Sequence, residues 1–131
     1  WNKGKTGYMG ANKTSFKKGH LPPNTREMYS ERLSKDGYIE IKVGKNRWIS
    51  KHRYLWEQHY KKEVPKGKVV IFLDGNNRNF EIENLKLISR GALLILNKRY
   101  RYITKDRKLM RSCVDLSELI ISLKKQERNK A

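Results

Sequence analysis

Two side chains in this sequence, His52 and Asp74, carry titratable groups at positions suited to hydrolytic chemistry. An imidazole with a pKa near neutrality can act as a general base, and a carboxylate is a hard oxygen ligand for Mg²⁺ or Mn²⁺. If a divalent cation binds, the predicted set is Asp74 and His52 with one of Asn76, Asn77 or Glu81. Such a set would activate water for attack on a phosphodiester.

Each of these residues also has a structural interpretation. Asp74 opens the cluster Asp-Gly-Asn-Asn at 74–77, which is typical of a turn, so its carboxylate could accept loop N–H groups. His52 follows Ser50, a predicted helix N-cap, where free N–H groups and the helix dipole favour anions. It could contact a phosphate, act as a base or ligand, or form a structural hydrogen bond. The sequence leaves these alternatives open.

The charge of the chain points to a polyanionic partner. Its 131 residues include 31 Lys and Arg against 13 Asp and Glu, a formal net charge of +18. No apolar run approaches the roughly 18 residues of a membrane span, and no signal peptide opens the sequence, so a cytoplasmic location is expected. The single cysteine, Cys113, excludes an internal disulfide and a cysteine-based zinc knuckle.

The elements that would position these residues form an α+β pattern. A strand is predicted at 69–73, an Asn-rich loop at 74–77, a second strand at 85–88 and a helix capped by Ser89. Upstream, the pattern predicts a hairpin at 38–49 and a helix from 51 to about 62. The unit from 64 to 97 is therefore strand, loop, strand and helix.

Three motifs in this order resemble the ββα unit of the HNH endonuclease superfamily, and in particular its phage and prophage members. They are HRYLWE at 52–57, DGN at 74–76 and ENL at 83–85. The resemblance implies a DNA endonuclease or nickase that uses a divalent metal and takes no small-molecule substrate. It also implies that Gly75 belongs to the loop turn and that Asn84 ties the loop back onto the strand.

The sequence departs from the family at the positions that carry its chemistry. The resemblance places a metal ligand at Ile71, the general base at Phe72 and the last metal ligand near Leu93. These side chains can neither ligate a cation nor accept a proton, so cleavage would require other residues, with His52 and Asp74 as candidates. The alternative is a non-catalytic DNA-binding protein on an HNH scaffold, such as a phage regulator or packaging accessory. A third class, an RNA-binding or ribosome-associated basic protein, also fits the charge.

The chain divides into three predicted parts. Residues 1–35 form a basic extended arm or a solvated tail, residues 36–97 the HNH-like domain, and residues 98–131 a basic linker and a C-terminal amphipathic helix from Asp115 or Ser117 to about Asn129. The apolar stripe of that helix is predicted to pack on its own domain, with dimerisation as the alternative; it comprises Leu116, Leu119, Ile120 and Leu123. The residues predicted to bind DNA are Lys3, Lys5, Lys17, Lys18, Arg47, Lys51, Arg53, Arg78, Lys98, Arg99, Arg101, Lys105, Arg107 and Lys108.

Overall fold

The computed structural model describes Gly4, residues 16–100 and residues 105–131. The predictions for Lys3, Lys5 and Arg101 lie outside these ranges. The elements are β1 (Glu31–Leu33), β2 (Ile39–Gly44), β3 (Arg47–Ser50), α1 (Lys51–Tyr60), β4 (Lys68–Phe72), a 3₁₀ turn (Ile82–Asn84), β5 (Leu85–Ser89), α2 (Arg90–Ile95), a π-helical turn (Leu96–Tyr100) and α3 (Arg107–Lys130). The fold is α+β, as predicted, with a small ββα unit formed by β4, β5 and α2.

The first sheet contains the predicted hairpin and one strand that the sequence did not predict. β2 and β3 pair antiparallel with Ile41 opposite Ile49, and β1 pairs with the other edge of β2. All three residues of β1 are exposed, so it lacks the apolar alternation that marks a half-buried strand. The pairing therefore begins within the segment that the sequence assigns to the arm.

The second sheet, β4 with β5, separates two hydrophobic clusters. Val69 pairs with Ile88 and Val70 with Leu87, and neighbouring residues of a strand face opposite sides. On one face, Val70 and Leu85 pack with Trp56 of α1. On the other, Leu73 and Ile88 belong to a cluster completed by residues of α2 and α3. The sheet is thus covered on both faces, which fixes its position between α1 and α3.

The C-terminal helix begins earlier than predicted. Asp106 is the N-cap of α3, and its Oδ1 accepts a hydrogen bond of 2.9 Å from Lys108 N. The helix therefore contains about half of the segment predicted to be a linker, from Arg107 onward. Among the described residues, no helix is long and apolar enough to cross a membrane.

The prediction for the packed face of α3 was wrong. Leu116, Leu119 and Leu123 are 44%, 55% and 50% exposed, whereas the buried residues are Cys113, Val114 and Ser117. A Cβ built on Gly91 of α2 would lie 3.1 Å from Ile121 Cδ1, so the two helices approach closely. Small side chains fit this contact, and the leucines point elsewhere. The approach is fixed further by Glu118, whose carboxylate accepts hydrogen bonds from Ser89 N and Oγ at 2.6 and 3.0 Å.

Candidate functional site

The loop after β4 is organised around the carboxylate of Asp74. Asp74 Oδ1 accepts hydrogen bonds from Asn76 N at 2.8 Å and from Asn84 Nδ2 at 2.9 Å. Its Oδ2 accepts from Asn79 Nδ2 at 2.8 Å. Three of the roughly four lone-pair directions of the carboxylate are thus occupied within the loop. This is the Asx-turn that the sequence offered as the structural alternative, extended by two asparagine side chains.

Asn84 connects the two ends of this loop. Its side chain is fully buried; Oδ1 accepts from Asp74 N at 3.0 Å, and Nδ2 donates to Asp74 Oδ1 and to Asn79 O. The backbone adds a bond from Leu73 N to Asn84 O at 2.8 Å. Gly75 has φ +71°, a left-handed conformation that glycine adopts without strain. These bonds form the link between loop and strand that the resemblance implied.

The loop determines the charge state of Asp74. Burial acts to raise the pKa of its carboxyl group, but hydrogen bonds from Asn79, Asn76 and Asn84 and the positive charge of Arg107 together outweigh it. The net effect is a pKa below the ordinary value, so Asp74 is an anion at neutral pH. Arg107 itself forms an ion pair of 2.8 Å with Glu81.

His52 lies against the strand that leads into this loop. Its ring centroid is 4.8 Å from that of Phe72 and 5.8 Å from that of Tyr38. Burial lowers the pKa of His52, and a hydrogen bond to the backbone of Val70 only partly opposes this effect. The net lowering of the pKa leaves His52 neutral at pH 7.

One edge of β4 is open. Leu73 N bonds to Asn84 O and Arg90 N bonds to Gly67 O, so the odd-numbered residues of this strand direct their backbone groups toward β5. The even-numbered residues, Val70 among them, direct theirs the other way. The ring of His52 joins α1 to this sheet by packing on Phe72, which is a structural role whether or not the ring also acts in catalysis.

A cleft of about 650 Å³ extends along this edge and brings the candidate residues together. His52 and Tyr38 line it on the side of α1, Asp74 lies at its end, and Leu93 and Asn97 line it on the side of α2. Because residues from both faces of β4 line the same cleft, it must pass the open edge of that strand. Asn76, predicted as a metal ligand, is exposed in the loop, where its Oδ1 accepts from Arg78 N at 3.0 Å.

The donor atoms at this site do not fit the metal that the family implies. Ile71 and Leu93, at the family's ligand positions, line the cleft and pack against the same hydrophobic cluster. In the described part of the chain, no group of three or more His, Cys, Asp and Glu side chains could hold a metal ion. Divalent cations of this kind prefer several oxygen ligands, and the oxygens of Asp74 and Asn76 are largely used by the loop.

The predicted DNA-binding residues fall into two groups. Three make ion pairs within the protein: Lys51 with Glu31 at 2.6 Å, Arg53 with Glu57 at 2.9 Å, and Arg107 with Glu81. The other predicted residues that lie in the described ranges are exposed, and no ion pair is seen for them there. They are Lys17, Lys18, Arg47, Arg78, Lys98, Arg99, Lys105 and Lys108. The second group is the one with charge available to a partner.

Two residues that contact His52 or Asp74 were not predicted from the sequence as site residues. Tyr38 was assigned only to a strand, but it precedes β2 and stands beside His52 and Phe72. Asn79 was not singled out, although its amide holds Asp74 Oδ2. For Asn79 the available signal was its position in the same loop, five residues after Asp74, within reach of the Asp74 carboxylate. The position of Tyr38 depends on contact between two separate sheets, for which the sequence gives no local signal.

The strand, asparagine-rich loop, strand and helix define a ββα unit of the kind found in a class of nucleases. The comparison with protein families matches residues 50–92 to the HNH endonuclease family, in agreement with the resemblance seen in the sequence. The match comprises 43 residues, about a third of the chain. It includes α1, β4, β5 and the first half of α2, and it ends before α3. Neither the curated proteins nor the solved structures gave a match.

Proposed function

We propose that this protein is a DNA-binding HNH-family endonuclease or nickase in which His52 replaces the family's general base. The observation that carries the proposal is the position of His52, whose ring is 4.8 Å from that of Phe72 within the matched segment. Phe72 occupies the position where the resemblance places the base. The imidazole thus comes from α1 to the region that the family's histidine reaches from β4.

The protonation state of His52 suits this role. Its lowered pKa leaves the ring neutral near pH 7, so one ring nitrogen carries a lone pair that can accept a proton from water. Packing against the rings of Phe72 and Tyr38 restricts the ring orientation. On the cleft lining, Lys105 offers a cation for a phosphate group.

Asp74 has a different part in this proposal. With three hydrogen bonds to its carboxylate, it shapes the loop beside the cleft. Metal binding by Asp74 and Asn76 stays a prediction from the resemblance, and no step above passes through a metal. The phage origin and cytoplasmic location that the sequence suggested are likewise predictions.

DNA binding itself is attributed to the exposed basic residues of the described chain together with the net charge of +18. Contact with about six phosphates would weaken binding roughly 10³-fold between 50 and 200 mM salt. Replacing Lys98 and Arg99 of the π-helical turn with Ala should lower the slope of log binding constant against log salt concentration by the amount expected for about two phosphate contacts. The same change at Arg53, which is paired with Glu57, should reduce it less.

The second candidate function is DNA binding without cleavage. It is favoured by Ile71 and Leu93, which turn the family's ligand positions into part of a hydrophobic cluster. In this case the ββα unit is a docking scaffold, and His52 serves only to join α1 to β4.

Supercoiled plasmid distinguishes the two candidates. Wild type, His52→Gln and Asp74→Asn are incubated with plasmid in Mg²⁺, in Mn²⁺ and in EDTA, and binding is measured in parallel by gel shift. Nicked or linear product that disappears in His52→Gln, with binding retained, supports the assigned base. Cleavage that persists in His52→Gln refutes that assignment. Shifted but uncut plasmid in every condition establishes the second function.

A further inference from the structure

The lining of the cleft along β4 suits an organic ring better than a metal ion or a phosphate without a base. Val69 and Ile71 of β4, with Leu93 and Met110, give it an apolar interior. Its volume of about 650 Å³ falls within the range of roughly 300–1,000 Å³ that small-molecule sites occupy. Such sites combine apolar walls with a few polar groups that orient the ligand.

An aromatic side chain stands beside this apolar interior. Tyr38 is 40% exposed, and its ring lies within 17° of parallel to that of Phe72, with centroids 6.3 Å apart. The bond from Asn77 Nδ2 to Gly37 O, at 3.2 Å, ties the preceding residue to the loop and so fixes the approach of Tyr38. An exposed, positioned tyrosine ring is a surface on which a planar base can stack.

Polar and charged groups complete the lining. Asn97 is exposed in the π-helical turn, and its amide offers both a donor and an acceptor to the edge of a base. Lys105 also lines the cleft and can contact a phosphate. The next residues along the π-helical turn, Lys98 and Arg99, add exposed positive charge.

We propose that this cleft takes one unpaired nucleobase of DNA, stacked on Tyr38 with its flanking phosphate at Lys105. The inference rests on the proposed function and adds that the preferred DNA carries an unpaired base. The net charge of +18 favours a nucleic acid over a peptide.

The test uses three duplexes of equal length at 150 mM salt: one fully paired, one with a single unpaired adenine, and one with an abasic site in place of that adenine. Binding is measured by fluorescence anisotropy for wild type, Tyr38→Ala, Tyr38→Phe and Tyr60→Ala. Tyr60 is a half-exposed tyrosine at the end of α1 that does not line the cleft, and it provides the matched control.

Wild type should bind the duplex with the unpaired adenine about fivefold to a hundredfold more tightly than the abasic duplex, which is the range that one stacked base contributes. Tyr38→Ala should lose this preference and keep its affinity for the paired duplex, while Tyr38→Phe and Tyr60→Ala should keep both. Equal affinity for the adenine and abasic duplexes overturns the base site, as does a preference that survives in Tyr38→Ala. Failure to bind any of the three duplexes overturns the proposed function as well.

Discussion

Replacing Asn84 with Ala should destabilise the fold more than any single change in an exposed loop. The substitution removes the hydrogen bond from Asp74 N and the two bonds that Asn84 Nδ2 donates, to Asp74 Oδ1 and Asn79 O. A neutral hydrogen bond contributes about 1 kcal/mol to the free energy of unfolding and one to a charged group about 1.5–3 kcal/mol. Water can reach part of the loop and will replace some of these bonds. We therefore expect a loss of about 3 kcal/mol, which for a chain of this size lowers Tm by roughly 10 °C.

The measurement is urea and thermal unfolding followed by tryptophan fluorescence and circular dichroism. Trp56 lies in the cluster on the α1 face of the β4–β5 sheet, so its emission reports on that cluster. Asn46→Ala is the matched control, since Asn46 is exposed in the turn between β2 and β3, and its loss should stay within about 0.5 kcal/mol. A loss below about 1 kcal/mol in Asn84→Ala would refute the central role of this side chain in the loop.

Three further outcomes are expected. If His52 is the general base, the cleavage rate should be level above about pH 6.5 and should fall as the pH drops through the lowered pKa of His52 in the folded protein. Because the folded protein disfavours protonation of this ring, the contribution of His52 to the free energy of unfolding is also complete above about pH 6.5 and is lost as the pH falls toward the lowered pKa. A cleavage rate that increases as the pH drops below about 6.5 would contradict the assignment. Val114→Ala should lower the free energy of unfolding, measured in urea, by about 2 kcal/mol because Val114 is fully buried. Leu119→Ala should lower it by under about 1 kcal/mol because Leu119 is half-exposed. Equal losses would mean that α3 packs through its leucine stripe. Gly91→Ala should destabilise despite its better helix propensity, since the new methyl group would meet Ile121 Cδ1 at 3.1 Å; a stabilised variant in thermal unfolding would show that Ile121 can move aside.

Local signals were sufficient for most of the ββα unit. The β-branched run at 69–71, the turn residues from Asp74 and the Ser89 cap each specify a local conformation, and the structure has β4, the loop and α2 where these signals placed them. β1 lacked such a signal. It is fixed by backbone pairing with β2, six to ten residues along the chain, and by ion pairs of Glu31 with Lys51 and of Arg32 with Glu40. Its position thus depends on its partners and not on an apolar pattern of its own.

The orientation of α3 shows why a correct apolar pattern can still predict the wrong packed face. The leucines at 116, 119 and 123 recur at helical spacing, and this pattern favours their burial as one face. α2 instead offers Gly91 at the contact, and the lack of a side chain there lets Ile121 of α3 approach closely. The paired bonds of Ser89 with Glu118 then fix the same rotation. Close approach and one polar contact thus decided the packing.

The same limit applies to the candidate site. An aspartate in an Asp-Gly-Asn sequence can be a metal ligand or the acceptor of a turn, and the sequence is identical in both cases. The distinction comes from the direction of its lone pairs, which Asn79 and Asn84 occupy here. His52 presents the reverse situation: its packing on Phe72 has a structural role, yet the same packing holds a neutral ring on the lining of the cleft. A structural role and a catalytic role are therefore compatible for His52, whereas for Asp74 the loop bonds and metal ligation compete for the same oxygen atoms.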